Sequence, residues 1–127
     1  MNYPSTSTQI VRHLLNGAQT DGGATINHLS QVPRTGYCVG LGGAVALDPS
    51  RSYFDQALQI VDDALAAEPR TTFGAWVDRK AGEYGDFHVL YIEAVQVFDM
   101  EHLAMNVARA RGELAIYDLA NGVEIRL

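Results

Sequence analysis

Lysine is almost missing from this chain. One residue in 127, Lys80, stands beside eight arginines, and these nine bases face fifteen acids for a net charge of −6. Nucleic-acid binding ordinarily needs a basic stripe to displace counterions from phosphates, and none is present. An acidic mimic of DNA fits no better, because acids scattered among apolar residues make no phosphate-like row. Cysteine occurs once, at Cys38, which excludes a disulfide framework and a cysteine zinc cage. No stretch approaches the ~18 consecutive apolar residues of a membrane helix. The opening Met1-Asn2-Tyr3-Pro4-Ser5 has neither the basic nor the apolar region of a secretory leader, so the expectation is a cytoplasmic protein without membrane contact.

Hydrophobic residues make up 47% of the chain, enough for a packed core, and the length suits one domain over residues 1–127. Residues 1–6 are polar and contain proline, and are expected to be flexible. Charge is unevenly placed. Residues 1–47 hold one acid and two bases, whereas residues 48–127 hold fourteen acids and seven bases. An ordinary solvated acidic surface accounts for this.

Hydrophobic spacing supplies the elements. Ile10, Val11, Leu14 and Leu15 recur at helical intervals after Thr6 or Ser7 as cap, with Gly17 as the expected stop. Residues 19–23 read as a linker and 24–29 as a weak strand. Residues 37–41 and 44–47 read as two short strands around Gly42-Gly43. A second helix carries Phe54, Leu58, Val61 and Leu65 on one face. Asp48-Pro49 or, one turn later, Ser52 with Asp55 opens it, and Glu68-Pro69 stops it. Residues 71–77 alternate as a strand, 79–86 read as a polar loop, and 87–98 form the longest strand. That strand is apolar on both faces, as a strand covered on both sides would be. Asp99 is the expected cap of a third helix with Leu103, Ala104, Val107 and Ala108 inward, closed by Gly112. A hairpin around Asn121-Gly122 ends the chain, with Val123, Ile125 and Leu127 expected to pack inward. The second half therefore reads α-β-β-α-β-β. The fold class is α+β: an antiparallel or mixed sheet with two to three helices packed on it.

The candidate chemistry is sparse. Gly40-Leu41-Gly42-Gly43 lacks the third glycine and the following helix of a dinucleotide loop, and no Gly-Lys-Ser/Thr follows, so it reads as a turn and no cofactor is expected. Cys38, between Tyr37 and Val39, reads as a small buried hydrophobe. His13, His28, His88 and His102 show no metal spacing. Asp62-Asp63 project apart on a helix, toward water. Glu93 is the residue out of place. It interrupts an apolar strand face and must be paired, near an edge or perturbed, and Arg79, Arg111 and Arg126 are the expected partners. Should Cys38, His88 and Glu93 converge, a small enzyme or ligand-binding domain is the alternative reading.

Aromatic residues give the stronger signal. Phe73, Trp76, Tyr84, Phe87 and Tyr91 surround one hairpin, with Tyr84 in the polar stretch and Lys80 nearby. Trp76, Lys80 and Tyr84 are the candidate partner-binding residues. No catalytic, cofactor-binding or metal residue is assigned. A sheet edge offers a route to a homo-oligomer.

The closing stretch Arg111-Gly112-Glu113-Leu114-Ala115-Ile116-Tyr117-Asp118-Leu119, ending Val123-Glu124-Ile125-Arg126-Leu127, resembles a group of small uncharacterised proteins of actinobacteria and their phages. Phe73-Gly74-Ala75-Trp76-Val77-Asp78, and Gly22-Gly23-Ala24-Thr25 followed by Gly36-Tyr37, are similar to the same group. The resemblance names no activity and implies a phage or mobile-element accessory role. The leading expectation is a small non-enzymatic accessory protein that binds another protein, such as a host or defence component.

Overall fold

The computed structural model describes residues 6–127; the expectation for residues 1–5 lies outside them. Among the described residues the chain forms α1 (Ser7–Asp21), β1 (Gly23–Ile26), β2 (Tyr37–Gly40), β3 (Val45–Ala46), α2 (Tyr53–Ala67), β4 (Thr72–Gly82), β5 (Gly85–Phe98), α3 (Glu101–Ala110), β6 (Ala115–Asp118) and β7 (Val123–Arg126). The strands make one antiparallel sheet in the order β1-β4-β5-β2-β6-β7, with β3 also pairing to β5. The fold is α+β, with three helices among the described residues. No helix among the described residues is long and apolar enough to cross a membrane.

Local chemistry explains the helix limits and corrects several expectations. Thr6 caps α1 through a reciprocal capping box with Gln9. The helix does not stop at Gly17 but runs to Gly22, whose φ of +80° suits glycine. Gly17 serves packing instead: a Cβ there would stand 2.5 Å from that of Ala24, so its absence lets α1 lie close on β1. In α2 the cap is Ser52, which accepts from the Asp55 amide. Asp48 serves a turn before it, accepting from Ser50 while the Gln56 side chain clamps its backbone. Asp99 does not cap α3. Met100 occupies that position without a side-chain bond, and Leu103 faces water while Ala104 and Ala108 are buried.

Register assigns the faces of the sheet. Ile26, Phe73, Ala75, Leu90 and Ile92 point one way and pack with Ile10, Val11, Leu14, Ala57 and Val61 of α1 and α2. Tyr37, Val39, Phe98 and Ile116 point the same way and pack with Ala104 and Ala108 of α3. All three helices thus lie on one face. The other face carries Thr25, Gly74, Trp76, Tyr91, Glu93 and Cys38, and it curls on itself. Thr25 of β1 hydrogen-bonds Cys38 of β2, although three strand spacings, roughly 14 Å, would separate them in a flat sheet. Arg126 of β7 reaches the electrostatic neighbourhood of Asp78 of β4, which a flat sheet would hold roughly 19 Å away. The two-sided apolarity of β5 therefore reflects helices on one face and sheet curl on the other.

Three further corrections concern strands. Residues 79–86 are not a loop: the β4–β5 ladder continues through Arg79↔His88, Lys80↔Phe87 and Ala81↔Asp86 to a two-residue turn, Glu83-Tyr84, closed by Gly85 at φ +117°. Backbone pairing needs no apolar side chains, so a polar arm passes for a loop in sequence. At the C-terminus only Ile125 is half-buried, while Val123 and Leu127 are exposed, because α3 covers β6 and reaches little of the edge strand β7. Finally, β2 and β3 do not pair with each other. Both lie along the same side of β5, and between Gly40↔Val95 and Val45↔Ile92 four residues (41–44) stand opposite two (93–94).

Candidate functional site

That excess makes a bulge, and the bulge opens a cavity. Gly42 and Ala44 on the excursion line it with Glu93 of β5 and with Arg111, Gly112 and Glu113 from the turn after α3; its volume is about 280 Å³. Gly40 completes the geometry. A Cβ on it would lie 2.6 Å from both Glu93 carboxylate oxygens and 2.8 Å from Glu113 Oε1, so two carboxylates converge over a backbone that has no side chain. Glu93 is only 6% exposed.

The expected arginine pairing of Glu93 does not occur. Arg79 binds Asp86 and Arg126 binds Glu124. Arg111 lines the cavity, but its guanidinium donates to the Gly40 carbonyl and, at 2.7 Å, to Gln96 Oε1. Glu93 thus faces another acid in place of a cation. Burial first, and the charge of Glu113 second, push its carboxyl up to about 7. Glu113 Oε1 is itself buried with no protein donor. Sequence reasoning missed Glu113, which reads there as a polar residue after a glycine stop. Nothing in its spacing signals that the α3–β6 turn passes the end of β2.

Cys38 joins this region and His88 does not. Cys38 shares the curled face with Glu93, and burial, aided by that carboxylate and opposed by the Thr25 hydrogen bond, pushes its thiol up to about 12. Such a sulfur stays protonated and is a poor nucleophile. His88 is exposed on the opposite face, on a groove between α1, the start of α2 and the β4–β5 arm. Among the described residues no cluster of three or more His, Cys, Asp or Glu can hold a metal.

The aromatic residues divide. Trp76 stacks on Tyr91, with ring centres 5.2 Å apart and planes 15° from parallel. Lys80 Nζ lies 5.7 Å from the Tyr91 ring centre and 2.9 Å from the Asp78 carboxylate. The hydrogen bond from Lys80 lowers the Asp78 carboxyl, and the same bond, with one to Tyr91, raises Lys80. Tyr84 is elsewhere. It is 97% exposed at the tip of the arm, about 20 Å beyond Trp76 at the rise of a strand, so it does not join the Trp76 cluster as the sequence suggested. Phe87, half-exposed, covers the gap above Gly82, where a Cβ would come within 3.1 Å of its ring. The stack lies one row, about 7 Å along the strands, from the Gly74↔Glu93 pair and on the same face.

No protein-family model, curated protein or solved structure matches this chain.

Proposed function

We propose that this chain is a non-catalytic binding protein that takes a protein partner on the helix-free face of its curled sheet. Trp76 and Lys80 lie in the contact, and Tyr84 extends it from the arm. The observation that carries this reading is the Trp76–Tyr91 stack with Lys80 above it, partly exposed on the one face that no helix covers. Large, stiff aromatic side chains are the usual anchors of protein interfaces, and Lys80 sets a positive charge beside them. The net charge of −6 favours a partner with a basic surface. The resemblance to small actinobacterial and phage proteins supports a host or defence component as that partner, met in the cytoplasm. The outer strands β1 and β7 are the edges through which a second copy would add.

A second reading, a domain that binds a small ligand, is favoured by the meeting of Glu93 and Glu113 at one cavity, with the Cys38 thiol in the electrostatic neighbourhood of Glu93. To separate the two, the tagged parent chain and its Trp76→Ala and Tyr84→Ala variants are used to isolate the partner from native cells, and each affinity is then measured. Trp76→Ala should weaken partner binding about tenfold or more while leaving the fold intact. Unchanged affinity in both variants would remove the partner from this face.

A further inference from the structure

We infer that the cavity between Glu93 and Glu113 receives an organic cation, a guanidinium or alkylammonium head group that brings its own N–H donors. The inference rests on reading this face as a binding surface and names what enters it. Glu93 is 94% buried by its 6% exposure, and no ion pair or hydrogen bond from a described residue reaches its carboxylate. Glu113 Oε1, aimed at the same point above Gly40, is buried without a donor. Once Glu93 ionises, both carboxylates only accept, and burying two of them side by side is unfavourable unless donors arrive. Arg111 lines the same cavity but makes no ion pair with either carboxylate, and its hydrogen bonds go to the Gly40 carbonyl and Gln96.

The shape of the site selects among cations. A hard divalent ion takes about six oxygen ligands, and the described residues offer no cluster of three acidic, histidine or cysteine ligands. An anion meets two carboxylates. A planar guanidinium or an ammonium matches two converging acceptors with its own donors. At about 280 Å³ the cavity suits a head group and part of its stem, lying just below the ~300–1,000 Å³ of drug-sized sites. The glycines have a function here: Gly40 keeps the floor bare, and the 41–44 excursion holds the mouth open.

Around Glu93 the charged or titratable groups are Glu113 and Arg111 from the turn after α3 and the Cys38 thiol from β2. Because burial and Glu113 hold Glu93 near 7, its proton competes with the cation. Affinity should therefore rise about tenfold from pH 6 to pH 8.

The chemistry has two sources, a free small amine and the side chain of an arginine or lysine on a partner protein. The test titrates methylguanidinium, butylamine and a short arginine-containing peptide into the full chain, followed by backbone amide NMR at Gly40, Gly42 and Glu113. Expected are saturable shifts at those amides, loss of about tenfold or more in affinity in Glu93→Gln and in Glu113→Gln, and the stated pH dependence. Equal affinities for peptide and small cations, unaffected by Trp76→Ala, identify a free amine. A tighter peptide, weakened by Trp76→Ala, identifies a partner side chain. No saturable shift up to about 10 mM probe, weaker than any affinity of use, overturns the proposal. So does binding that survives both glutamine variants. Absence of saturable shifts in a chain whose partner binding is weakened by Trp76→Ala overturns this inference alone, whereas a partner indifferent to both Trp76→Ala and Tyr84→Ala overturns the reading of the face.

Discussion

The units α2-β4-β5 and α3-β6-β7 repeat one order of elements at two scales. The first has strands of 11 and 14 residues, and its helix sets Val61 and Ala57 with Phe73 and Ile92 in the larger core. The second has strands of four residues each, and its helix buries two alanines against Val39 and Ile116. Small side chains bring α3 close to the sheet but contribute little apolar area. The larger unit therefore holds the fold. The smaller one is light enough to serve mainly as a bracket, carrying Arg111 and Glu113 to the end of β2. The cavity lies at the seam between them.

That contrast is breakable. Phe73→Ala, in the fully buried centre of the larger core, should cost ~3–5 kcal/mol and bring the protein close to unfolding in a urea titration. Ile116→Ala, its counterpart in the smaller cluster, should cost less, ~2–3 kcal/mol, because a cavity beside alanines on a short helix can collapse. An equal or larger loss at Ile116 would reverse the ranking of the two units.

The seam has its own signature in pH. The Glu93 carboxyl is raised from 4.5 to about 7 in the folded chain. Below the lower value both states hold the proton. Across the window between the two only the folded chain keeps it, so the contribution to stability falls as pH rises and levels off above about 7. Glu93→Gln should flatten this slope and melt higher than the parent above pH 7, by roughly 2 kcal/mol once screening through the open mouth is allowed for. A parent whose stability is flat or rising over that window would contradict the buried acid pair.

The edge of the smaller unit tests how little it carries. Deleting residues 123–127 removes one half-buried apolar side chain, Ile125, and one edge ladder. The chain should stay folded and lose ~1–2 kcal/mol, read as a lower melting temperature with unchanged helix content. Aggregation of the truncated chain would show that β7 covers more than its burial suggests. The smallest effect belongs to the tip of the larger unit. Tyr84→Ala, at a fully solvated side chain, should change stability by less than ~0.5 kcal/mol, so any loss of partner binding there is loss of contact.

Much of this was legible in the residues. The stripe of α2, the α-β-β-α-β-β order and the α+β class follow from periodicities that one buried face imposes on helix and strand. What escaped depends on pairing and closure, which side-chain patterns do not record. The polar ladder from Arg79 to Asp86 is held by backbone bonds, so its composition mimics a loop. Gly17 looks like a stop, yet it is required by a neighbour seven residues later. Glu93 announced itself by being an acid on an apolar face; of the arginines expected beside it only Arg111 reaches the cavity, bonded elsewhere, and the group that converges with the carboxylate is a second acid. Only the turn after α3, positioned by a helix docked on β2, brings Glu113 there. Trp76 was legible as a strand residue, but Lys80 and Tyr84 were both assigned to a loop; the unforeseen ladder puts Lys80 on the strand with Trp76 and carries Tyr84 away to the tip of the arm.

The four-against-two mismatch beside β5 also has an arithmetical consequence. Removing Gly42 and Gly43 would shift Val45 back by two places, and the pairing that runs from Tyr37↔Phe98 to Gly40↔Val95 would continue unbroken into the segment facing Ile92 and Tyr91. The cavity is thus a two-residue insertion in an otherwise uninterrupted ribbon. It can be excised without changing the frame of any other strand, and a lineage could acquire or discard it in a single small deletion or duplication.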